Sequence, residues 1–218
     1  MIVLGLTGSI GMGKSTAAGM LRRLGCPVHD ADRAVHRLYA RGGAAVAPIA
    51  AAFPAAIRAG AVDRAVLAGL VLGDGAALKR LEGIVHPLVR REGDLFLRRC
   101  ARRRVPVAVM DIPLLFETGG RDRVDAVLVV TAPAAVQRAR VLARPGMTEA
   151  KLRAILAKQM PDGEKQHRAD FVVSTGLGKR HTALHLARIV AILRGRAATR
   201  AGRIWPPRPY PKNRQTHA

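Results

Sequence analysis

The stretch that decides the fold is Gly8-Ser9-Ile10-Gly11-Met12-Gly13-Lys14-Ser15-Thr16. Its spacing, G-x-x-x-x-G-K-S, is the phosphate-binding P-loop pattern. The apolar run 2–6, which contains β-branched residues, precedes it and predicts a buried strand. Apolar residues at helical spacing follow it, and Gly25 then marks a helix end. Strand, glycine loop and helix in this order predict a nucleoside triphosphate site, whereas an isolated glycine turn would predict nothing so specific.

The chemistry of the stretch explains this prediction. Glycines let the backbone adopt unusual dihedrals and approach a phosphate, while successive N–H groups and the following helix N-terminus attract the anion. Lys14 is expected to reach the β- and γ-phosphates, and the Ser15 hydroxyl is expected to bind Mg²⁺. The expected nucleotide contacts are Gly11, Met12, Gly13, Lys14, Ser15 and Thr16.

Length and composition restrict the remaining possibilities. The chain has 218 residues, 49% of them hydrophobic, which suits one domain with insertions. It has no uninterrupted apolar stretch of about eighteen residues and no charged region before its first apolar run, so we expect neither a membrane span nor a signal peptide. Cys26 and Cys100 lack metal-ligand spacing, and we expect buried, reduced thiols in a cytoplasmic protein.

The formal charge of +22 fits a nucleic-acid binder or an enzyme with polyphosphate substrates. Aromatic residues make up only 3% of the chain, which argues against recognition of single strands by base stacking. Charge alone therefore does not choose between the two classes.

Acidic residues follow two predicted strands. Asp30 and Asp32 come after the short strand that Pro27 opens, and Asp111 ends the apolar run 105–110. Since ligands gather at the carboxyl ends of strands in open α/β sheets, Asp32 is a candidate base facing the γ-phosphate. Either Asp30 or Asp32 could instead cap the helix that begins near Arg33. Asp111 is a candidate Mg²⁺ ligand.

Residues 33–104 predict an inserted helical block, because apolar residues recur at helical spacing between Gly and Pro breaks. It is larger than a crossover between parallel strands requires, so we expect an acceptor-binding subdomain. Within it, His86 precedes Pro87, which predicts a local break near the helix. From the residues alone, His86 could be a substrate contact or a partly exposed interhelical side chain, and the second is favoured.

The second half of the chain carries a basic helix. Gln137, Arg140 and Arg144 are expected on one helical face, where the guanidiniums could clamp phosphate or simply be solvated. The following segment, 144–165, is expected to form a helical lid. Glu117 closes an apolar loop and could be functional or merely a solvated or capping residue. Residues 194–218, rich in Arg and Pro, are expected to form a loosely packed basic tail after a domain spanning 1–193.

Five strand candidates alternating with helices predict a three-layer α/β fold with a five-stranded parallel sheet. At this level the sequence also resembles one family. Seven segments of the chain resemble, in their order and spacing, the motifs of dephospho-CoA kinases. They are residues 6–16, Asp30-Ala31-Asp32, His86-Pro87, residues 113–117, the helix with Gln137, Arg140 and Arg144, Gln159, and residues 169–170. The similarity covers about residues 1–193 and is far more specific than the P-loop alone.

The resemblance implies ATP-dependent phosphorylation of the ribose 3′-hydroxyl of 3′-dephospho-coenzyme A, the final step of coenzyme A synthesis, with Mg²⁺ as cofactor. It implies Asp32, Lys14 and Arg140 as catalytic residues and Arg144 near the ATP phosphates. Further implied contacts are His86, Pro87 and Leu115 with the acceptor, and Gly176 with ATP. The turn Ser174-Thr175-Gly176 departs from the Asn-x-Gly of many relatives. We expect a monomer, with no nucleic-acid partner beyond weak contacts of the tail.

Three alternative functions have less support in the sequence than a dephospho-CoA kinase. A nucleoside monophosphate kinase would not be expected to carry the helical block with His86-Pro87. A GTPase switch would use Asn-Lys-x-Asp, but Asn213 is the sole asparagine and lies in the tail. A nucleic-acid binder would depend on the basic tail alone.

Overall fold

The structure is a computed structural model in which residues 1–199 of 218 are described. The chain divides into two compact units. Among the described residues, the first contains Met1–Val28 and residues 98–199, and the second is His29–Leu97. Among the described residues, none of the helices is both long and apolar enough to cross a bilayer.

The five-stranded sheet contains β1 (Ile2–Thr7), β2 (Val28–Asp30), β5 (Val107–Asp111), β6 (Ala126–Thr131) and β7 (Phe171–Ser174). The strand order is β2-β5-β1-β6-β7, and all strands but β2 lie entirely in the first unit. The central strand β1 pairs in parallel with β5 on one side, where Leu4 aligns with Val109, and with β6 on the other, where Leu4 aligns with Ala126. The predicted α/β class with a five-stranded parallel sheet is confirmed.

The strands β1 and β5 are buried along their whole length, as their continuous apolar sequences require. Residues Ile2, Leu4 and Leu6 face one side of the sheet, and their core cluster includes Leu21 and Leu186 from two helices. These helices, α1 and α9, therefore cover that face. The helices of this unit are α1 (Lys14–Arg23), α6 (Ala134–Leu142), α7 (Glu149–Leu156), α8 (Asp162–His167) and α9 (Lys179–Thr199), with a 3₁₀ turn at Gly120–Arg123.

The second unit has its own helical core, built around Leu38, Ile49, Leu67 and Val85. A two-stranded antiparallel hairpin, in which Ile57 pairs with Val62, is an addition that the helical pattern does not predict. Its elements are α2 (Ala31–Tyr39), α3 (Val46–Ala52), a 3₁₀ turn (Pro54–Ala56), β3 (Ile57–Arg58), β4 (Ala61–Val62), α4 (Arg64–Val71) and most of α5 (Gly75–Arg102).

The structure corrects the predicted helix break at His86-Pro87, because α5 runs through Pro87 without interruption. The preference of a residue before proline for extended backbone is overridden here by packing. Val85 is buried, and Leu88 and Val89 pack on the same core, so continuing the helix keeps three apolar contacts. His86 and Pro87 face solvent, where the carbonyl freed by proline can bind water.

One other predicted boundary moves. The last helix, α9, continues to Thr199, so residues 194–199 are helical rather than part of a loose tail. Leu193, on the inner face of α9, is 1% exposed and packs in the core, so it anchors the helix close to its end. The remainder of the predicted tail, residues 200–218, lies outside the described part of the chain.

Candidate active site

The P-loop connects β1 to α1 at the carboxyl edge of the sheet. Gly13 precedes α1 with a left-handed φ of 85°, and Gly11 has φ 77°. A Cβ on Gly11 would lie 2.6 Å from Val141 Cγ2, so both the backbone and the space require glycine. The first turn of α1 contains Lys14, Ser15 and Thr16, with both hydroxyl residues exposed. A glycine loop that ends on a helix N-terminus is an anion-binding arrangement.

The P-loop lysine is paired with the acid that ends β5. Lys14 Nζ donates to Asp111 Oδ1 at 2.6 Å. The parallel register places Asp111 beside Leu6 of β1, one residue before the strand ends. Asp111 is 3% exposed. The sequence therefore predicts correctly that Asp111 lies at the strand edge, and the structure brings it together with Lys14.

Two glutamine side chains outside the P-loop form hydrogen bonds with the backbone of Ile10 in the loop. Gln137 of α6 donates from Nε2 to the Ile10 carbonyl at 2.8 Å, and Gln159 accepts from the Ile10 N–H at 3.2 Å. Gln137 is buried rather than solvated. It is therefore a structural contact of the loop, whereas the sequence pattern grouped it with two arginines on a phosphate-facing surface.

Arg140, one turn later on α6, is held by the turn that follows β7. Its Nη1 donates to Thr175 Oγ1 and its Nη2 to the Thr175 carbonyl, both at 2.8 Å. The Thr175 hydroxyl in turn donates to the Met12 carbonyl at 2.9 Å. The guanidinium thus lies next to the P-loop, as its predicted phosphate role requires, but its nitrogens contact protein atoms here.

Arg144 differs from its predicted position. Helix α6 ends at Leu142, so Arg144 lies in the bend before α7 and is exposed. The Pro145-Gly146 pair that follows stops the helix early. Arg144 is therefore not on the α6 surface shared by Gln137 and Arg140.

Gly176 lies in the same turn as Thr175, where a Cβ would come within 2.6 Å of Pro133 Cδ. This close approach accounts for glycine at the position through packing against the start of α6. Its expected contact with ATP is a separate prediction.

Glu117 has a defined structural role. Its Oε1 lies 2.9 Å from Nζ of the fully buried Lys165 and accepts from the Met160 N–H at 2.9 Å. Burial by itself raises the pKa of Glu117, but the hydrogen bonds from Lys165, Met160 and its own N–H, with the Lys165 charge, outweigh burial and hold the pKa below its usual value. Neither sequence interpretation of Glu117, a functional acid or a capping or solvated residue, predicts this ion pair.

Leu115, an expected acceptor contact, is completely buried. It packs over β1, since a Cβ on Gly5 would lie 2.6 Å from Leu115 Cδ1. In this conformation the side chain has a packing role, and its contact with substrate stays a prediction.

The other candidate residues belong to the second unit. Asp30 accepts from the Arg33 N–H at 3.0 Å and caps α2, which confirms one of the two roles considered for the acidic pair. Asp32 lies in the first turn of α2 and is exposed. His86 and Pro87 lie on α5 and are exposed as well. All three are available to a ligand.

Sequence reasoning missed the connections made by Thr175 and Lys165. A threonine before a glycine after a strand predicts only a turn. Lysine is seldom fully buried, and nothing in the neighbouring sequence marks Lys165 as an exception. Both residues depend on contacts between segments far apart in the chain, which a local pattern cannot reveal.

Metal binding by side chains alone has no support in residues 1–199, where no cluster of three or more His, Cys, Asp or Glu residues could hold an ion. The candidate oxygen ligands are the two that the sequence predicted, Ser15 on α1 and Asp111 on β5.

The P-loop on β1, the paired lysine and acid and the arginine of α6 define a P-loop kinase. Comparison with known proteins narrows the class. The sequence model of dephospho-CoA kinase matches residues 2–178. A dephospho-CoA kinase of Mesorhizobium japonicum is 62% identical over 195 residues, which are 89% of this chain and 98% of the relative. That of Paramagnetospirillum magneticum is 65% identical over 195 residues, 89% and 92% of the two chains.

Solved structures share the fold of this chain. TT1252 from Thermus thermophilus is similar with a TM-score of 0.77 and 37% identity, over 88% of this chain and 96% of its own. Dephospho-CoA kinase from Campylobacter jejuni shares the fold with a TM-score of 0.60 at 21% identity, again over 88% and 96%. This chain belongs to the dephospho-CoA kinase family, as the sequence motifs predict.

Proposed function

We propose that the chain transfers the γ-phosphoryl group of ATP to the 3′-hydroxyl of 3′-dephospho-coenzyme A, which gives coenzyme A and ADP. The observation that carries the proposal is the P-loop at the end of β1, with Lys14 beside Asp111, in a chain of this family. Phosphoryl transfer of this kind depends on positioning and on stabilising charge, and the site supplies both.

The donor half of the reaction uses residues of the first unit. The backbone N–H groups of the P-loop bind phosphate oxygens. Lys14 contacts the β- and γ-phosphates, and its hydrogen bond to Asp111 is either broken or retained alongside these contacts. Arg140 stabilises the negative charge that develops on the transferred phosphoryl group. Arg144 and Gly176 add contacts to ATP. The positive charge of the whole chain, formally +22, raises the encounter rate with two polyanionic substrates.

Most of the residues proposed for the acceptor half belong to the second unit, whereas Leu115 belongs to the first. Asp32 orients the 3′-hydroxyl and takes its proton. Two observations support this role: Asp32 is exposed, and Asp30 rather than Asp32 accepts the capping bond of α2. His86, Pro87 and Leu115 contact the acceptor, and the helical block to which His86 belongs is its binding subdomain.

Mg²⁺ fits the residues present. Mg²⁺ prefers oxygen ligands and is usually held by one or two protein groups together with phosphate oxygens and water, so a three-residue cluster is not required. The Ser15 hydroxyl and the Asp111 carboxylate would hold it. When bound, the ion neutralises phosphate charge.

The segment 144–165 is proposed to close over ATP and exclude water, which would suppress hydrolysis. Gln159, which lies in the second half of this segment, accepts a hydrogen bond from the Ile10 N–H at 3.2 Å, so the segment is connected directly to the P-loop. Within the described part of the chain both cysteines, Cys26 and Cys100, are free and buried, and burial raises the pKa of each thiol. Such inert, reduced thiols suit a cytoplasmic protein.

The test is an acceptor panel. ADP release with ATP and Mg²⁺ is measured with 3′-dephospho-coenzyme A, with each nucleoside monophosphate, and with water as the acceptor. We expect kcat/KM for dephospho-coenzyme A to exceed every other value by at least about a hundredfold, because a nucleoside monophosphate lacks most of the groups by which the larger acceptor is bound, and the loss of a single apolar group already costs about 10–200-fold. Faster turnover of a monophosphate would overturn the proposal.

A further inference from the structure

Thr175, in the turn between β7 and α9, joins three parts of the site. It is 8% exposed. Its hydroxyl donates to the Met12 carbonyl at 2.9 Å and accepts from Arg140 Nη1 at 2.8 Å. A hydroxyl has one donor and two lone pairs, so it makes both bonds at once. Its own N–H donates to the Thr131 carbonyl of β6 at 2.8 Å, which fixes the turn to the sheet.

The bond to Met12 fixes the orientation of a peptide in the P-loop. A peptide unit is planar and trans, so its carbonyl and N–H point in opposite directions. When Thr175 holds the Met12 carbonyl, the Gly13 N–H in the same unit is directed away from Thr175. The two residues are tightly packed, since a Cβ on Gly13 would lie 3.0 Å from Thr175 Oγ1. The hydroxyl therefore sets the direction of one of the N–H groups that bind phosphate.

The bonds to Arg140 fix the position of a cation. Two guanidinium nitrogens are bonded to one residue, Nη1 to the hydroxyl and Nη2 to the carbonyl of Thr175, and Nη1 also lies 3.5 Å from the Gly11 carbonyl. An arginine on a solvated surface samples many rotamers, whereas this one is held beside the loop by protein atoms. Charge that is already in place does not have to reorganise during transfer.

We propose that Thr175 is a positioning residue for the ATP half of the reaction, acting through the Met12–Gly13 peptide and through Arg140. The proposal rests on the proposed kinase function. It gives the Ser174-Thr175-Gly176 turn a role that depends on a hydroxyl.

The test compares Thr175→Val, which keeps the shape and removes the hydroxyl, with Thr175→Ser, which keeps the hydroxyl. Thr199→Val, at the exposed end of α9, is the matched control. ADP affinity is measured by calorimetry, and kcat and both KM values by coupled ADP release, at a temperature where each variant is folded by circular dichroism.

Thr175→Val should weaken ADP binding and lower kcat/KM for ATP, each by at least about tenfold, because it removes both hydrogen bonds of the hydroxyl and the loss of one alone, at about 1.4 kcal/mol, corresponds to tenfold. KM for dephospho-coenzyme A should change less than threefold. Thr175→Ser should retain at least a third of the wild-type kcat/KM. Values like wild type for Thr175→Val, or an equal loss for Thr175→Ser, would overturn the proposal. If Thr175→Val does not fold, Thr175→Ala takes its place in the same comparison.

A second readout separates positioning from general destabilisation. If Thr175 acts partly through Arg140, then Thr175→Val combined with Arg140→Met should lower kcat/KM by less than the product of the two single effects. Multiplicative effects would overturn the coupling. If the wild-type protein turns over dephospho-coenzyme A and Thr175→Val does so equally well, only the role of Thr175 is refuted. If the wild-type protein does not turn over dephospho-coenzyme A, the proposed function is refuted.

Discussion

Lys14 Nζ lies 2.6 Å from Asp111 Oδ1, so the lysine that is expected to bind ATP phosphates is ion-paired with the acid at the end of β5. The Lys14 side chain is 18% exposed and that of Asp111 only 4%. The same contact therefore serves two purposes. It neutralises a buried carboxylate, and it holds the lysine at the phosphate site.

This pair predicts that stability and activity separate. Lys14→Met leaves the Asp111 carboxylate without its lysine and should lower the free energy of unfolding by about 2 kcal/mol, less than the ~3–5 kcal/mol for fully buried pairs because Lys14 is partly exposed. Lys14→Met combined with Asp111→Asn removes both charges and should recover most of that loss. Both proteins should lose ATP binding and turnover, since the lysine is absent from each.

Urea unfolding measures the first effect and calorimetry with ATP the second. Equal unfolding free energies for the single and double variants would mean that the unpaired Asp111 carboxylate is not the cause of the loss in Lys14→Met. Normal turnover in either protein would refute the P-loop role of Lys14.

Asp111 alone is tested through its dependence on Mg²⁺. Asp111→Asn should raise the Mg²⁺ concentration for half-maximal turnover by about tenfold, because an amide oxygen is a weaker ligand than a carboxylate. The control is Asp122→Asn, an exposed acid in the 3₁₀ turn before β6. An unchanged Mg²⁺ dependence in Asp111→Asn would remove Asp111 from the proposed ligands.

Asp32→Asn tests the base. The variant should bind ATP within about twofold of wild type and lose at least about a hundredfold in kcat, because general base catalysis contributes about 10²–10⁴. The matched control is Asp30→Asn, since asparagine also caps helices and should leave α2 intact. A kcat close to wild type in Asp32→Asn would refute its role as the base.

Lys14 and Asp111 also show how much of the site could be predicted from the sequence. The strand before Gly8 and the helix after Lys14 follow from apolar patterns, and the parallel sheet follows from their alternation, so the position of Asp111 at the strand edge was predictable. Its bond to Lys14 was not, because the two residues are 97 positions apart and nothing local to either indicates the other.

Patterns also failed where packing decides between local preferences. Pro87 predicts a break, yet α5 continues because its apolar residues have a core to bury. Gln137 and Arg140 share a helix and a polar character, yet one is buried against Ile10 and the other bonded to Thr175. The side chains that support the P-loop come from segments distant in sequence, and only the folded chain shows which ones they are.

The pair of Glu117 and Lys165 predicts a pH dependence of stability. Burial raises the pKa of Glu117, but the hydrogen bonds that Glu117 accepts from Lys165 and Met160 outweigh burial and hold this pKa below its ordinary value of 4.5. The stability that the carboxylate contributes is therefore complete above about pH 4.5 and is lost as the pH falls through the lower, folded-state pKa. Glu117→Gln should unfold more easily at pH 7, by about 3 kcal/mol, because Lys165 is then buried with its charge unpaired.

The difference between wild type and Glu117→Gln should shrink as the pH falls below about 4.5, because wild type then loses the same ion pair by protonation. Urea unfolding at a series of pH values from about 3 to 7 measures it. Glu164→Gln, on the same helix as Lys165 but exposed and paired with Arg168, is the control and should change stability by less than about 1 kcal/mol at any pH. A difference that stays constant down to pH 3 would show that the charge of Glu117 does not support the fold, and that Lys165 is stabilised by other contacts.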